Sequence, residues 1–345
     1  MNARQARAVA NAWVASDARL LPGYRGALWH GSILTMPDAA VLEPSSDLDI
    51  VVVVDDPAAL PSPGKIVRGG VLLDVSLVGQ EEIRNPDALL ANHSLAPTFR
   101  SPEVLDDPSG GLAAVTAAVE ASFATRGAVE RRVASAVDRL ERNLGSLRPE
   151  RTFPDNVMAW LFGTGITTHV LLVAGLRNPT VRKRYLAARD LLDDTGMPEV
   201  YPELLDLLGC RDWSPGRATR HLQALAEAFD AAGRVVLTPV FFANDLSSAA
   251  RPIAIGGSRE LIEAGDHREA VFWIVATWCR CMIVFHNDAP ELEERFAPGF
   301  RATVEDLGIA SLSDLVARAD DVVAFLPSLM SVAEAVMDRT PGIEG

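Results

Sequence analysis

Cysteine is scarce in this 345-residue chain: Cys210, Cys279 and Cys281 are the only three. The number is odd and no metal-type spacing surrounds them, so thiolate chemistry is not where the chain points. Cys279-x-Cys281 falls in an apolar helical stretch, where buried free thiols are common. The pattern suits a reducing compartment, and a cytoplasmic protein is expected. Long apolar runs are also missing. The most apolar stretches are 50–54 and 271–285; the first has the length of a strand and the second is interrupted by Arg280. Neither predicts a bilayer span. The beginning, MNARQARAVANAW, is charged and amphipathic without the apolar centre of a signal peptide. No membrane partner is expected.

Basic residues are in deficit. Lys and Arg number 32 against 46 Asp and Glu, a formal net charge of −14. A protein that tracks a phosphate backbone normally carries a basic stripe, so a long nucleic acid is disfavoured as a partner. An acidic surface steers cationic small molecules inward, although the same charge also keeps a protein in solution. Aromatics are 6% of residues; Ala, Val and Leu are plentiful, as in helix-rich cores. The sequence shows no internal repeat and no low-complexity tract.

What is present reads as two regions. Residues 3–21 predict a helix, 25–30 a short strand, and EPSSDLDIVVVVDDP the clearest strand of the chain. In it Leu48 and Ile50 alternate with Asp47 and Asp49, and a β-branched run then suggests burial on both faces. Strands follow near 65–68 and 71–78 with a hairpin signal at Gly69-Gly70. Residues 98–106 predict a further strand. From about 111 nearly everything reads helical: 111–146, 154–175, 180–195, 214–233, 257–264, 267–287, 289–306 and 311–337. The expectation is an α+β protein, a small mixed β-sheet domain at 1–110 followed by a larger all-α helical bundle at 111–345.

Chemistry concentrates in the sheet region. Asp47 and Asp49 are two apart on a strand of period two, so both carboxylates leave the same face. Two adjacent acids need a counter-charge. Mg²⁺ supplies it, because it prefers hard oxygen ligands and keeps positions open for triphosphate oxygens. Asp74 stands alone in the apolar VLLDVSLV, where a lone acid is costly to bury; a neighbouring strand would bring it to the same metal pair. Three carboxylates then hold two ions at a hydroxyl nucleophile and a leaving pyrophosphate. Gly31 lets backbone approach a phosphate closely, and Ser32 offers a hydroxyl beside the amides of a helix start.

HGS at 30–32, DLDI at 47–50 and LLDVS at 72–76 together resemble the nucleotidyltransferase superfamily that includes polymerase beta and the antibiotic nucleotidyltransferases. Two departures stand out: the spacer 33–46 is slightly long, and His30 occupies a usually apolar position. The resemblance covers about the first third of the chain. It implies a nucleotidyltransferase moving a nucleoside monophosphate, AMP from ATP or from another NTP its equivalent, to a hydroxyl of a small acceptor. Asp47, Asp49 and Asp74 would be metal ligands, with Gly31, Ser32 and Ser46 holding the nucleotide. The helical second half is similar in layout to the aminoglycoside-modifying members, which suggests a cationic, antibiotic-like acceptor; a homodimer is compatible. The rival readings are an enzyme that adds AMP to a protein in a toxin–antitoxin system, and a nucleotide-binding module without turnover.

Weaker candidates complete the reading. Glu103, Asp106 and Asp107 are candidates for a general base, Glu103 first among them, and Asp107 reads better as a helix cap. Arg182, Lys183, Arg184 and Arg189 form a basic patch; Arg182 and Lys183 are candidates for the β- and γ-phosphates, against a solvated helix face with an Arg189–Asp193 pair. Asp266 and Glu269 suggest a capping box. Arg280 and His286 match the Arg-x(4–6)-His spacing of HEPN ribonucleases, a pattern that a helix with one Arg and a C-terminal His explains more simply.

Overall fold

The computed structural model describes residues 1–43, 45–61, 63–100 and 103–344. The protein is α+β, a five-stranded mixed sheet in the N-terminal part followed by helices. Two compact units are formed, Met1–Arg132 with Gly342–Gly345, and Val133–Pro341.

In the first unit, α1 (Ala3–Ser16) opens with a capping box between Asn2 and Gln5 and buries Ala3, Ala6, Ala10, Trp13 and Val14 along one face. A separate 3₁₀ turn at Ala18–Leu20 replaces the last residues of the expected helix. The strands are β1 (Tyr24–His30), β2 (Leu48–Val54), β3 (Gly64–Arg68), β4 (Val71–Gly79) and β5 (Val104–Asp106), in the order β3-β4-β2-β1-β5. β3 and β4 form a hairpin whose turn residues Gly69 and Gly70 both have positive φ, 52° and 79°, the left-handed pair that a two-residue hairpin turn requires. β4 then lies parallel to β2, while β1 and β2 are antiparallel.

Leu48, Ile50, Val52 and Val54 share a core with Ala27, Trp29, Leu73, Val75 and the apolar face of α1. Val51 and Val53 are buried as well, so the valine run is covered on both sides. The residues that alternate with the α1-facing set, Asp49 among them, leave the opposite face.

Three short helices follow β4: α2 (Gln80–Ile83), α3 (Pro86–Ala91) and α4 (Ala96–Phe99). The strand expected over 98–106 is therefore mostly not a strand. Pro97 sits in the first turn of α4, where its missing N–H costs nothing, and only β5 pairs with β1; 101 and 102 lie outside the described residues. The helix expected over 111–146 is two, α5 (Gly111–Ser122) and α6 (Arg126–Leu144). The break between them buries Phe123, whose ring lies 3.9 Å from the Arg132 guanidinium and whose carbonyl accepts from Arg132 Nη2 at 2.6 Å. α5 packs against α3 and α4. It therefore belongs to the sheet unit, and the division at 132/133 falls inside α6 rather than at 110/111.

The second unit continues with α7 (Phe153–Ala174), α8 (Arg184–Asp194), α9 (Tyr201–Leu208), α10 (Pro215–Val235), α11 (Gly257–Glu263), α12 (Val271–Asp288), α13 (Pro290–Glu305) and α14 (Leu312–Arg339). α7 packs on α8, α12 and α14, and α12 on α10 and α13. One helix among the described residues, α7, is long and apolar enough to cross a membrane by length and composition, with a mean hydropathy of 1.7, contrary to the expectation from stretches 50–54 and 271–285. Its glycines, threonines and His169 interrupt the apolar run. Here 83% of its most apolar window is buried inside the protein, as in a core helix. Gly165 has no room for a side chain because Phe272 and Arg184 press against it.

Leu73 is fully buried between β2 and α1. Leu73→Ala is expected to destabilise the sheet unit by about 2–5 kcal/mol, measured as an earlier urea transition that leaves the transition of the helical unit in place.

Candidate active site

Strand pairing alone assembles the site. In register, His30 lies opposite Asp49, Asp49 beside Asp74, and Asp74 opposite Lys65. Cross-strand neighbours point to the same face, so these four residues form one row across β1, β2, β4 and β3. Asp47, two residues before Asp49, joins the row from its end. Carboxylate oxygens of Asp47, Asp49 and Asp74 all lie within 4.8 Å of one another. The parallel direction of β2 and β4 is decisive, because it brings the N-terminal ends of both strands to the same edge of the sheet.

Lys65 closes the cluster. Its ammonium donates to Asp47 Oδ2 at 2.8 Å and to Asp74 Oδ2 by a short contact. Its side chain is 7% exposed, against 23% and 30% for Asp47 and Asp74. Burial works against the Lys65 charge, but the Asp47 and Asp74 carboxylates outweigh it and raise its pKa above the ordinary lysine value. Desolvation, with the charges of Asp47 and Asp74 added, pushes the Asp49 carboxyl well above the usual carboxylate range, and Lys65 only partly offsets this. Asp49 is thus the carboxyl of the cluster whose ionised form an added cation would favour.

Gly31 follows β1 with φ +71° and starts a 3₁₀ turn at Gly31–Thr35. A Cβ at this position would fall on Asp49 Oδ2 and 3.0 Å from its Cγ. The turn therefore passes directly over the acid, and Ser32 is exposed on it. His30 places Nδ1 2.8 Å from Thr98 Oγ1, and burial lowers its pKa. A neutral imidazole bonded to α4 fills the position where an apolar residue was expected. Ser46 is half-buried in the turn before Asp47, its N–H donating to Glu43 O at 2.9 Å.

None of the other candidates belongs to the strand row. Glu103 accepts from Arg7 Nη1 at 2.9 Å, and Arg7 also donates to Ile33 O at 2.5 Å. Arg7 belongs to α1 and ties it both to the 31–35 turn and to Glu103, which is not among the clustered carboxylates. Asp107 Oδ2 accepts from Ala113 N at 2.8 Å, a cap for α5. Arg182 and Lys183 precede α8 in the second unit, with the Arg182 guanidinium packed on Gly257. The basic patch is not a solvated helix face. Arg184 is buried under Phe272, 3.9 Å from its ring, and burial lowers its pKa to about 9. Arg189 bonds Asp266 at 2.8 Å and Glu269 at 3.0 Å rather than Asp193. Glu269 also accepts from Tyr201 at 2.7 Å, so those acids anchor Arg189 instead of capping α12, which begins at Val271. Arg280 pairs with Asp245 at 3.1 Å and His286 with Glu293 at 3.1 Å, two separate structural contacts.

A cavity of about 360 Å³ lies in the helical unit among Asp206, Arg211, Arg217, Asp306 and Arg318. Its charges satisfy one another, Arg211 with Asp206 at 2.6 Å and Arg217 with Asp306 at 3.5 Å.

Lys65 is the site residue that sequence reasoning missed, although a signal existed. Counting back from the Gly69-Gly70 turn, Arg68 opposes Val71, Val67 Leu72, Ile66 Leu73 and Lys65 Asp74.

No protein-family model, curated protein or solved structure matches the chain.

Two outcomes follow from this geometry. Because the folded-state pKa of Asp49 is raised, ionising it costs the metal-free protein stability, and the cost grows as pH rises from the unfolded value through the folded one. Asp49→Asn is expected to raise the melting temperature of the metal-free protein at neutral pH by about 2–4 °C, the shift that on the order of 1 kcal/mol produces in a domain-sized unit. The gain should vanish near pH 3, and thermal melts across pH read it. Gly31→Ala is strained by its φ and by Asp49; it is expected to cost about 1–3 kcal/mol in a denaturant titration.

Proposed function

We propose that this chain is a Mg²⁺-dependent nucleotidyltransferase that moves a nucleoside monophosphate, AMP from ATP, to a hydroxyl of a small cationic acceptor. The observation that carries this reading is the convergence of Asp47, Asp49 and Asp74 beneath the Gly31-Ser32 turn. A structural ion pair accounts for one acid and one lysine. It does not account for three carboxylates clustered beside one ammonium, nor for a glycine turn pressed onto Asp49.

The donor set fits Mg²⁺, being all carboxylate oxygen, close-set, and short of positive charge. Asp47 and Asp49 would hold both ions and Asp74 the catalytic one. Bound there, Mg²⁺ neutralises triphosphate charge and stabilises the leaving pyrophosphate. The chain's own parts do the rest. The turn after β1 presents Gly31 and Ser32 to the triphosphate with no side chain in the way at 31. The rigid register of β1, β2 and β4 holds the acids in place without further ordering, which lowers the entropic cost of reaching the reactive geometry. In the reaction the acceptor oxygen bonds the α-phosphorus, the α–β bridging P–O bond breaks, the hydroxyl proton leaves to solvent, and pyrophosphate departs. The net charge of −14 favours a cationic acceptor over a polyanion.

Pyrophosphate release from ATP and Mg²⁺, screened over aminoglycosides and related polyamines, tests the proposal. Wild-type release should depend on one acceptor class, and Asp49→Ala should lower it by on the order of 10²–10³ or more. Nucleotide binding without acceptor-dependent release would shift the acceptor to a protein hydroxyl. Absence of ATP binding would refute nucleotidyl transfer.

A further inference from the structure

The acid cluster already contains a cation. We propose that the Lys65 ammonium is the resident counter-ion of the metal site. It yields Asp47 and Asp74 when a divalent cation binds, then pairs with a triphosphate oxygen, so that metal and nucleotide load cooperatively. The inference rests on the nucleotidyl-transfer reading and deepens it.

The geometry makes the competition unavoidable. Lys65 Nζ bonds one oxygen each of Asp47 and Asp74, and those carboxylates lie with Asp49 inside 4.8 Å. A divalent cation taking oxygens from all three acids sits next to the ammonium, and like charges at such separations repel strongly outside bulk water. The lysine is also less exposed than either acid it bridges. Losing both carboxylates takes two anionic partners from an enclosed ammonium, a costly change. A triphosphate arriving with the metal removes that cost by offering new anionic oxygens within reach. Lysine suits this exchange, since its charge is compact, its four-carbon stem is flexible, and its donors rotate. An arginine fork would be tied to one carboxylate geometry. By linkage, whatever nucleotide contributes to metal binding the metal returns to nucleotide binding.

Mn²⁺ titration of the full chain, read by the electron paramagnetic resonance signal of free Mn²⁺, tests this with and without α,β-methylene-ATP. Wild type should bind Mn²⁺ weakly alone and about tenfold tighter with the nucleotide analogue, a usual size for such coupling. Lys65→Met should bind Mn²⁺ alone about tenfold tighter than wild type, with little further gain from nucleotide. Lys65→Gln, neutral but able to donate a hydrogen bond, should behave as Lys65→Met does and serves if that variant melts early by circular dichroism. A folded neutral variant that binds Mn²⁺ no better than wild type, while wild type binds both ligands, overturns the role of Lys65 and leaves nucleotidyl transfer standing. Failure of wild type to bind Mn²⁺ even with nucleotide, or binding undiminished in Asp49→Asn, overturns both.

Discussion

Like-charge repulsion among Asp47, Asp49 and Asp74 is the constraint around which the sheet unit is organised. Three carboxylates within 4.8 Å are held together by the strand register, with the Lys65 ammonium bridging two of them. β2 is fixed between β1 and β4 by continuous pairing, and its opposite side is committed to the α1 core. The free energy that holds the acids comes from Leu48, Ile50, Val52, Leu73 and Val75 on the far face, a few ångströms away but electrostatically silent. Apolar burial on one side of a strand thereby sustains charge crowding on the other.

Chain direction matters as much as packing. An antiparallel partner for β2 on the β4 side would have placed its acid at the other end of the strand for the same loop length. The route taken, out along β3 and back along β4, returns the chain parallel to β2. The same hairpin supplies Lys65, so one supersecondary unit delivers both a ligand and its counter-charge. Arg7, Glu103 and the 31–35 turn brace the opposite corner from α1.

Much of this was legible in the residues. Asp47, Asp49 and Asp74 stood out because acids interrupting β-branched strands are costly, and Gly31 because only glycine permits a backbone so close to another group. The α+β division was legible from the change of period after residue 106. Lys65 was legible only by counting through the hairpin, since a lysine in a short polar strand carries no signal by itself. The misread parts share a cause, the override of local pattern by distant contacts. Phe123 breaks a helix because Arg132 receives it; Pro97 starts a helix where β-type residues suggested a strand. Arg184 and Arg189 look like a solvated patch in sequence, yet one is enclosed by aromatics and the other by acids from the segment before α12.

β3 is also an edge strand of the described sheet, five residues long. Such edges invite pairing with another chain and register slippage, both routes to aggregation. Lys65 opposes both. A one-residue slip of β3 against β4 would turn its ammonium into the apolar layer beneath α1 and set Ile66 among three carboxylates. The charge that serves the acid row therefore also proofreads the fold, making the misaligned sheet expensive before any ligand is involved.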